Sequence, residues 1–152
     1  MRRSAALMLV LAVAASACDG QEDPAVDPDV PTAADTLVMA YESFSPEAFD
    51  TVSWPSDSAA LERGAFVYRA GCSTCHGVDG RGDAAHVTPA GDTLHPPDFH
   101  RADFALGDDL QALRQKVYAG NVLGMPHWGL RRMDARDIDA VARWVAYLAQ
   151  QQ

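Results

Sequence analysis

The five residues Cys72-Ser73-Thr74-Cys75-His76 constrain this chain more than any other feature of its sequence. A Cys-x-x-Cys pair can be half of a zinc site, a redox pair, or the two attachment points of a haem whose iron the adjacent histidine binds. A zinc site requires a second such pair or a pair of histidines, and the chain has no second Cys-x-x-Cys. A thioredoxin-like pair lacks its strand–helix context here and leaves His76 unexplained. The motif therefore predicts one covalent haem c, attached through Cys72 and Cys75, with His76 as an iron ligand.

A second axial ligand is expected further along the chain. Met125 lies between Gly124 and Pro126, in a loop where a core-filling methionine would be unusual. Met133 precedes a predicted helix and suits a core contact. Four histidines complete the set of candidates: His86, His95, His100 and His127. Those of the irregular 84–101 segment are expected at the surface, so His127 is the main rival of Met125.

The N-terminus has the pattern of an export signal. Arg2 and Arg3 precede the apolar run 5–15, and small residues stand directly before Cys18. The run is about half as long as a membrane-spanning helix. Cys18 is either a chance cysteine or the lipid-modified first residue of a bacterial lipoprotein, and we favour the second. Residues 1–17 are then a lipoprotein signal peptide, and Cys18 anchors the protein at the periplasmic or extracytoplasmic face of a membrane.

The negative charge is concentrated in the N-terminal third. Ten acidic and no basic residues lie between Cys18 and Ala60, whereas residues 61–152 include 11 acidic and 10 basic residues. A net charge of -9 argues against a nucleic-acid partner. The length suits one domain with appendages. We therefore expect an acidic, Pro-rich, disordered tether over 18–57 and the motif-bearing domain over 58–152.

Part of this expected tether is unusually apolar. Residues 37–54 include aromatic and branched side chains that a simple linker does not need. This stretch either lies on the surface of its own domain or serves as a docking strip for a partner. We favour the first alternative.

The apolar spacing of the domain predicts three helices and no strand. The first is expected to begin at Ser58 and end near Ala70, the second to run from Asp108 to Gly120, and the third to begin at Asp134 and reach Leu148. Gly64 would let the first helix cross closely over the third, near Trp144 and Tyr147. The fold class is therefore all-α.

Over residues 58–148 the chain resembles a class I c-type cytochrome with a single haem, of the membrane-tethered bacterial lipoprotein kind. The resemblance rests on CSTCHG at 72–77, GVDGRGD at 77–83, GMP at 124–126 and the flanking helices. It implies a small cytochrome c fold with three main helices around the haem, and thioether links at Cys72 and Cys75. His76 would be the proximal ligand and Met125 the distal one. In that family a proline carbonyl often accepts the other ring proton of the ligand histidine, and the candidates here are Pro89, Pro96 and Pro97.

A His/Met pair leaves no open coordination position, which favours an electron carrier over an enzyme. We expect a monomeric domain that exchanges electrons with redox proteins of the respiratory chain in the cell envelope. Two alternatives remain. The chain could be the haem c subunit of a larger respiratory oxidase or dehydrogenase, docked through residues 37–54. It could also be a five-coordinate haem protein that binds small ligands or peroxide, which requires that Met125 does not bind iron.

Overall fold

The computed structural model of the chain is mainly helical. It describes residues 29–84, 86–87 and 91–151, and at His86 it describes the backbone alone. The predicted signal peptide, Cys18 and Pro89 lie outside the described residues. Residues 31–152 form one compact unit. Its elements in chain order are α1 (Ala33–Ser43), a 3-10 helix (Pro46–Phe49), α2 (Asp57–Gly71), α3 (Ser73–His76), β1 (His86–Val87), β2 (Thr93–Leu94), α4 (Leu110–Ala119) and α5 (Ala135–Ala149).

The three long helices of the domain begin at side-chain caps. Ser56, Asp109 and Asp134 each accept a hydrogen bond from the backbone N–H three residues later, at 3.2, 2.8 and 2.8 Å. The cap of α2 is therefore Ser56 instead of Ser58, whose hydroxyl lies 2.9 Å from that of Ser56. The cap of α4 is Asp109 instead of the predicted Asp108. The predicted cap of α5 is confirmed.

Helices α2 and α5 cross at Gly64. A side chain there would collide with the Ala140 carbonyl and lie 2.8 Å from the Cβ of Trp144. Only glycine lets the two backbones approach this closely. The crossing predicted from the sequence is thus present, and it buries Tyr68, Ile138 and Val141 almost completely.

A two-residue antiparallel hairpin interrupts the helical fold, in a region where the sequence predicted no strand. His86 pairs with Leu94, and Val87 pairs with Thr93. A strand of two residues is too short to show the alternating apolar pattern from which strands are predicted. The hairpin matters because Leu94 contacts the backbone of Gly124, where an added Cβ would be 3.0 Å from a Leu94 methyl group.

The N-terminal segment differs from the expected tether. Helix α1 begins after Thr32, which forms a reciprocal capping box with Asp35. Phe49 is buried in the core, and the indole N–H of Trp54 donates to Asp139 at 2.7 Å. Residues 37–54 therefore pack on their own domain, as the first of our two alternatives predicted, because they bury aromatic surface there. The segment from Ala33 onward belongs to the domain.

Among the described residues, Asp139 is the charged residue whose side chain is fully buried. Side chains from three parts of the chain donate hydrogen bonds to it. Besides Trp54, it accepts hydrogen bonds from Arg114 of α4, at 2.9 Å from Nε, and from Arg143 of α5, at 2.8 Å. Burial alone raises the pKa of Asp139, but the hydrogen bonds from Trp54, Arg143 and Arg114 outweigh it, so the pKa lies below its ordinary value. The carboxylate therefore joins the N-terminal segment to α4 and α5.

We expect Asp139→Asn to lower the free energy of unfolding by about 3–5 kcal/mol at neutral pH, because it leaves the largely buried Arg114 without its counter-charge. Since the folded pKa is depressed, the carboxylate's contribution is fully present above its ordinary pKa and is lost as the pH falls through the folded value. The acid-side loss of stability should therefore become shallower in the variant. Urea unfolding of the purified protein between acid and neutral pH measures both effects.

Asp137→Asn is the matched control. Asp137 pairs with Arg63 across the α2–α5 contact, but 44% of the Arg63 side chain is exposed. Its removal should cost at most about 1 kcal/mol. Equal losses in the two variants would contradict the assigned role of Asp139.

Candidate haem-binding site

The Cys-x-x-Cys-His motif forms a helical turn at the C-terminal end of α2. Cys72 ends α2 and begins α3, its N–H donating to the Tyr68 carbonyl at 2.8 Å. The N–H groups of Cys75 and His76 donate in turn to the Cys72 carbonyl at 3.1 and 3.0 Å. Residues three apart on a helical turn share one side of it. The two cysteines, both free and half-buried, therefore have the spacing that attachment to one edge of a porphyrin requires.

His76 is held in an apolar environment. Burial lowers the pKa of its imidazole, which favours the neutral form that binds metals. Its Nδ1 is buried and has no hydrogen-bond partner among the described residues. The ring stacks on Phe99, with centroids 5.0 Å apart and planes 24° from parallel. The surroundings of the motif histidine thus favour its neutral form, and its ring stacks on an aromatic neighbour.

The loop after His76 is fixed by buried hydrogen bonds. The hydroxyl of Tyr68 donates to the Gly77 carbonyl at 2.8 Å, and the Gly82 N–H donates to the His76 carbonyl at 2.9 Å. Gly77 has a φ of 80°, which a residue with a side chain rarely adopts. The carbonyls of Pro96 and Pro97 lie against Gly82, where an added Cβ would be 3.0 Å from the Pro97 oxygen. Two of the three candidate prolines therefore adjoin this loop.

Met125 lies in a short loop that follows α4. The side-chain oxygen of Asn121 accepts the N–H groups of Leu123 and Met125 at 2.9 and 3.1 Å, and the Asn121 N–H donates to the Met125 carbonyl at 3.1 Å. Gly120 ends α4 with a φ of 64° and leaves no room for a side chain beside Met125 and Pro126. These contacts hold the Met125 backbone from both sides, and its side chain is half-buried.

The other candidate ligands have different surroundings. Nδ1 of His127 lies in hydrogen-bonding contact with the Ala119 carbonyl, so this nitrogen is committed to the end of α4. Met133 packs against the core. His95 is exposed, and His100 spans the carbonyls of Asp79 and Gln151 at 2.7 and 3.3 Å. For His86 the structure describes the backbone alone.

The motif and the Met125 loop meet at one apolar cluster. Cys72 and Met125 both pack against the buried core that contains Phe99, the ring stacked on His76. Gly71 lies directly before the motif, and Trp128 lies three residues after Met125. A Cβ added at Gly71 would be 3.3 Å from the Trp128 indole, so the two segments are neighbours. The motif and Met125 together supply two thiols, an imidazole and a thioether, and Cys72, His76 and Met125 each contact this cluster. This donor set fits a covalently bound haem with one nitrogen and one sulfur ligand.

Comparison with known proteins identifies the family. Residues 59–145 match the family model of cytochrome c oxidase, cbb3-type, subunit III. The chain belongs to this family. It is also 31% identical, over 90 residues, to the cbb3-type cytochrome c oxidase subunit CcoP of Azospirillum brasilense, an alignment that covers 59% of this chain and 29% of that protein. No solved structure matches the chain significantly.

Family membership confirms three predictions made from the sequence. The chain is a c-type cytochrome, its fold is all-α, and its role is electron transfer through haem c. The chain spans less than a third of the length of the curated relative it matches. Within the described residues, no helix combines the length and apolar composition needed to cross a bilayer.

Sequence reasoning missed two residues that shape this site. Phe99 lies in the 84–104 stretch, whose irregular composition gave no helical period, and its contact with His76 joins residues 23 positions apart. Asn121 is the second residue, and it was not singled out from the sequence. An Asn directly after a helix-ending glycine, and four residues before the candidate ligand, is the signal that could have found it, since Asn side chains commonly cap nearby backbone N–H groups.

We expect denatured wild-type protein to keep the mass of one haem after acid–acetone extraction, because thioether bonds survive unfolding. Cys72→Ser and Cys75→Ser should each sharply lower the yield of haem-loaded protein, and the double variant should retain none. Mass spectrometry and the absorbance of the denatured protein measure both quantities. Thr74→Ala, at the exposed position between the cysteines, should leave the yield unchanged. A haem that is fully extracted from wild type would contradict the assignment.

Proposed function

We propose that this domain is a single-haem electron carrier in which Cys72 and Cys75 form the thioether links, His76 is the proximal ligand and Met125 the distal ligand. The observation that carries the proposal is the common apolar cluster. Cys72 and Met125 pack against it from different parts of the chain, and its member Phe99 stacks on His76. One rigid core thereby supports the attachment point and both ligands.

The surrounding residues suit rapid electron exchange. When bound, the haem supplies an iron centre that alternates between two oxidation states. His76 offers a neutral imidazole, and the thioether of Met125 favours the reduced iron relative to a second histidine. Asn121 and Gly120 fix the Met125 loop, while Tyr68 fixes the turn after His76. Both ligands are thus held by short backbone contacts, so little rearrangement accompanies the change of charge.

The comparisons with known proteins support a proposal about the redox partner of this domain. The matched relative is named as a subunit of a cbb3-type oxidase, and the matched family bears the same description. We propose that the donor or acceptor of this domain is a respiratory membrane complex, with the domain acting as its haem c subunit or as its mobile partner. In either case the domain would pass electrons without binding the oxidant itself, because His76 and Met125 would together hold the iron.

We expect Met125→Ala to abolish the weak far-red charge-transfer band of a ferric haem with a thioether ligand. Removal of the sulfur opens the sixth position, so the ferric spectrum should become high-spin and the protein should gain affinity for carbon monoxide in the ferrous state. Absorption spectra of the purified wild type and variant measure all three changes.

Met133→Leu is the matched control, since Met133 packs against the core and its replacement keeps apolar volume. It should retain the band. A Met125→Ala protein that stays low-spin with the band intact would transfer the assignment to another ligand, with His127 the first candidate. A wild-type protein that is already high-spin would support the ligand-binding alternative.

We further propose that residues 1–17 direct export and that Cys18 carries the lipid anchor, placing the domain at the periplasmic face of a membrane. The support is the sequence pattern: two arginines, an apolar run and small residues before Cys18. Stable anchoring takes two acyl chains or more, as a bacterial lipoprotein carries. Export also suits covalent haem attachment, which takes place outside the cytoplasm.

We expect Cys18→Ala to move the protein from the membrane fraction to the soluble periplasmic fraction, because the acyl chains are its proposed membrane contact. Fractionation followed by haem staining measures the distribution. Ser16→Ala, which keeps a small residue near the cleavage position, should leave the protein in the membrane fraction. Wild-type protein found wholly in the soluble fraction would refute the anchor.

A further inference from the structure

Phe99 is a buried aromatic residue whose ring contacts His76. Its exposed fraction is 5%, and its ring lies nearly parallel to the imidazole, at a centroid distance of 5.0 Å. The preceding two residues, Pro97 and Asp98, are exposed and half-buried. The chain therefore turns inward at Phe99 and places one aromatic ring directly on the motif histidine.

The ring has little freedom to move. The Phe99 N–H donates to the Gly80 carbonyl at 2.8 Å, which ties its backbone to the loop after His76. Gly80 has a φ of 75°, and a Cβ added there would lie 2.8 Å from the Phe99 ring. Tyr68 meets the ring edge-on at 6.4 Å, and Phe104 contacts it at 5.1 Å. Backbone and neighbours together fix the plane of Phe99.

No hydrogen bond from Nδ1 to the described residues sets the rotation of the His76 ring. Ligand histidines in metal sites are usually oriented by a hydrogen bond from the second ring nitrogen. Stacking against a fixed aromatic ring restrains the same rotation, because offset parallel rings lose contact area and favourable quadrupole alignment when one turns about its bond to Cβ.

We propose that Phe99 is a positioning residue that fixes the plane of the His76 imidazole, and through it the electronic state of the iron. This inference rests on the proposed function, since it requires His76 to bind the haem. The plane of an axial imidazole decides which iron d orbital it overlaps. In a low-spin ferric haem that orientation determines the g values seen by electron paramagnetic resonance.

The test compares three variants of the full haem-loaded protein. Phe99→Leu keeps apolar bulk but removes the flat ring, whereas Phe99→Tyr keeps the ring. Phe104→Leu is the control: Phe104 contacts Phe99, but the ring contacts of the described residues do not join it to His76. We expect Phe99→Leu to shift and broaden the largest ferric g value. Phe99→Tyr and Phe104→Leu should keep the wild-type value. The free energy of unfolding, measured alongside, reports the loss of packing separately.

Several results would overturn the inference. One is a wild-type g value in folded Phe99→Leu; another is an equal shift in Phe104→Leu, which would mean that general loosening of the core is responsible. If Phe99→Leu gives no folded haem protein, Phe99→Met makes the same comparison with an unbranched side chain of similar volume. Failure of the proposed function has a different signature: the wild-type protein itself then lacks the low-spin spectrum of histidine–methionine ligation.

Discussion

The close approach of α2 and α5 at Gly64 is the contact on which the rest of the structure depends. Because no side chain separates the helices there, α5 buries Ile138 and Val141 against the face of α2 that carries Tyr68. The direction of α2 is thereby fixed, and its last turn continues into the Cys-x-x-Cys-His motif. A larger residue at this crossing would force apart α5 and the helix that leads into Cys72. The same contact thus determines the core packing and the placement of the motif.

Short-range chemistry explains what the sequence made predictable. The end of α4 could be predicted from Gly120 and the start of α5 from Asp134. The motif at 72–76 could be recognised because covalent attachment to a haem requires its spacing. The contacts that escaped prediction join distant positions. Trp54 reaches Asp139 across 85 residues, and the stacking of Phe99 on His76 depends on how an irregular segment folds back. No local period encodes such contacts, so the N-terminal helix was mistaken for tether and the aromatic support of the histidine was missed.

The buried ion pairs of the domain involve other residues than the proposed ligands. His76 stacks on Phe99 and Met125 packs against the apolar core, whereas the buried carboxylate of Asp139 lies among Arg114, Arg143 and Trp54, which hold the N-terminal segment to α4 and α5. A buried ion pair costs desolvation energy and is weak evidence for stability by itself. In this domain the buried ion pair specifies that the N-terminal segment, α4 and α5 meet at Asp139.

The docked N-terminal segment also limits where the domain can work. If Cys18 is the lipid anchor, as we propose, the chain between the membrane and the first described helix is residues 19–32, since α1 begins at Ala33. Even fully extended, these residues span at most about 50 Å. A domain so restrained meets membrane-bound partners at a high effective concentration and distant soluble ones rarely. The packing of Phe49 and Trp54 on the domain shortens the connection, because it removes some twenty residues from the length of chain available to the tether. If Cys18 is the anchor, the same contacts that complete the fold therefore favour electron exchange close to the membrane surface.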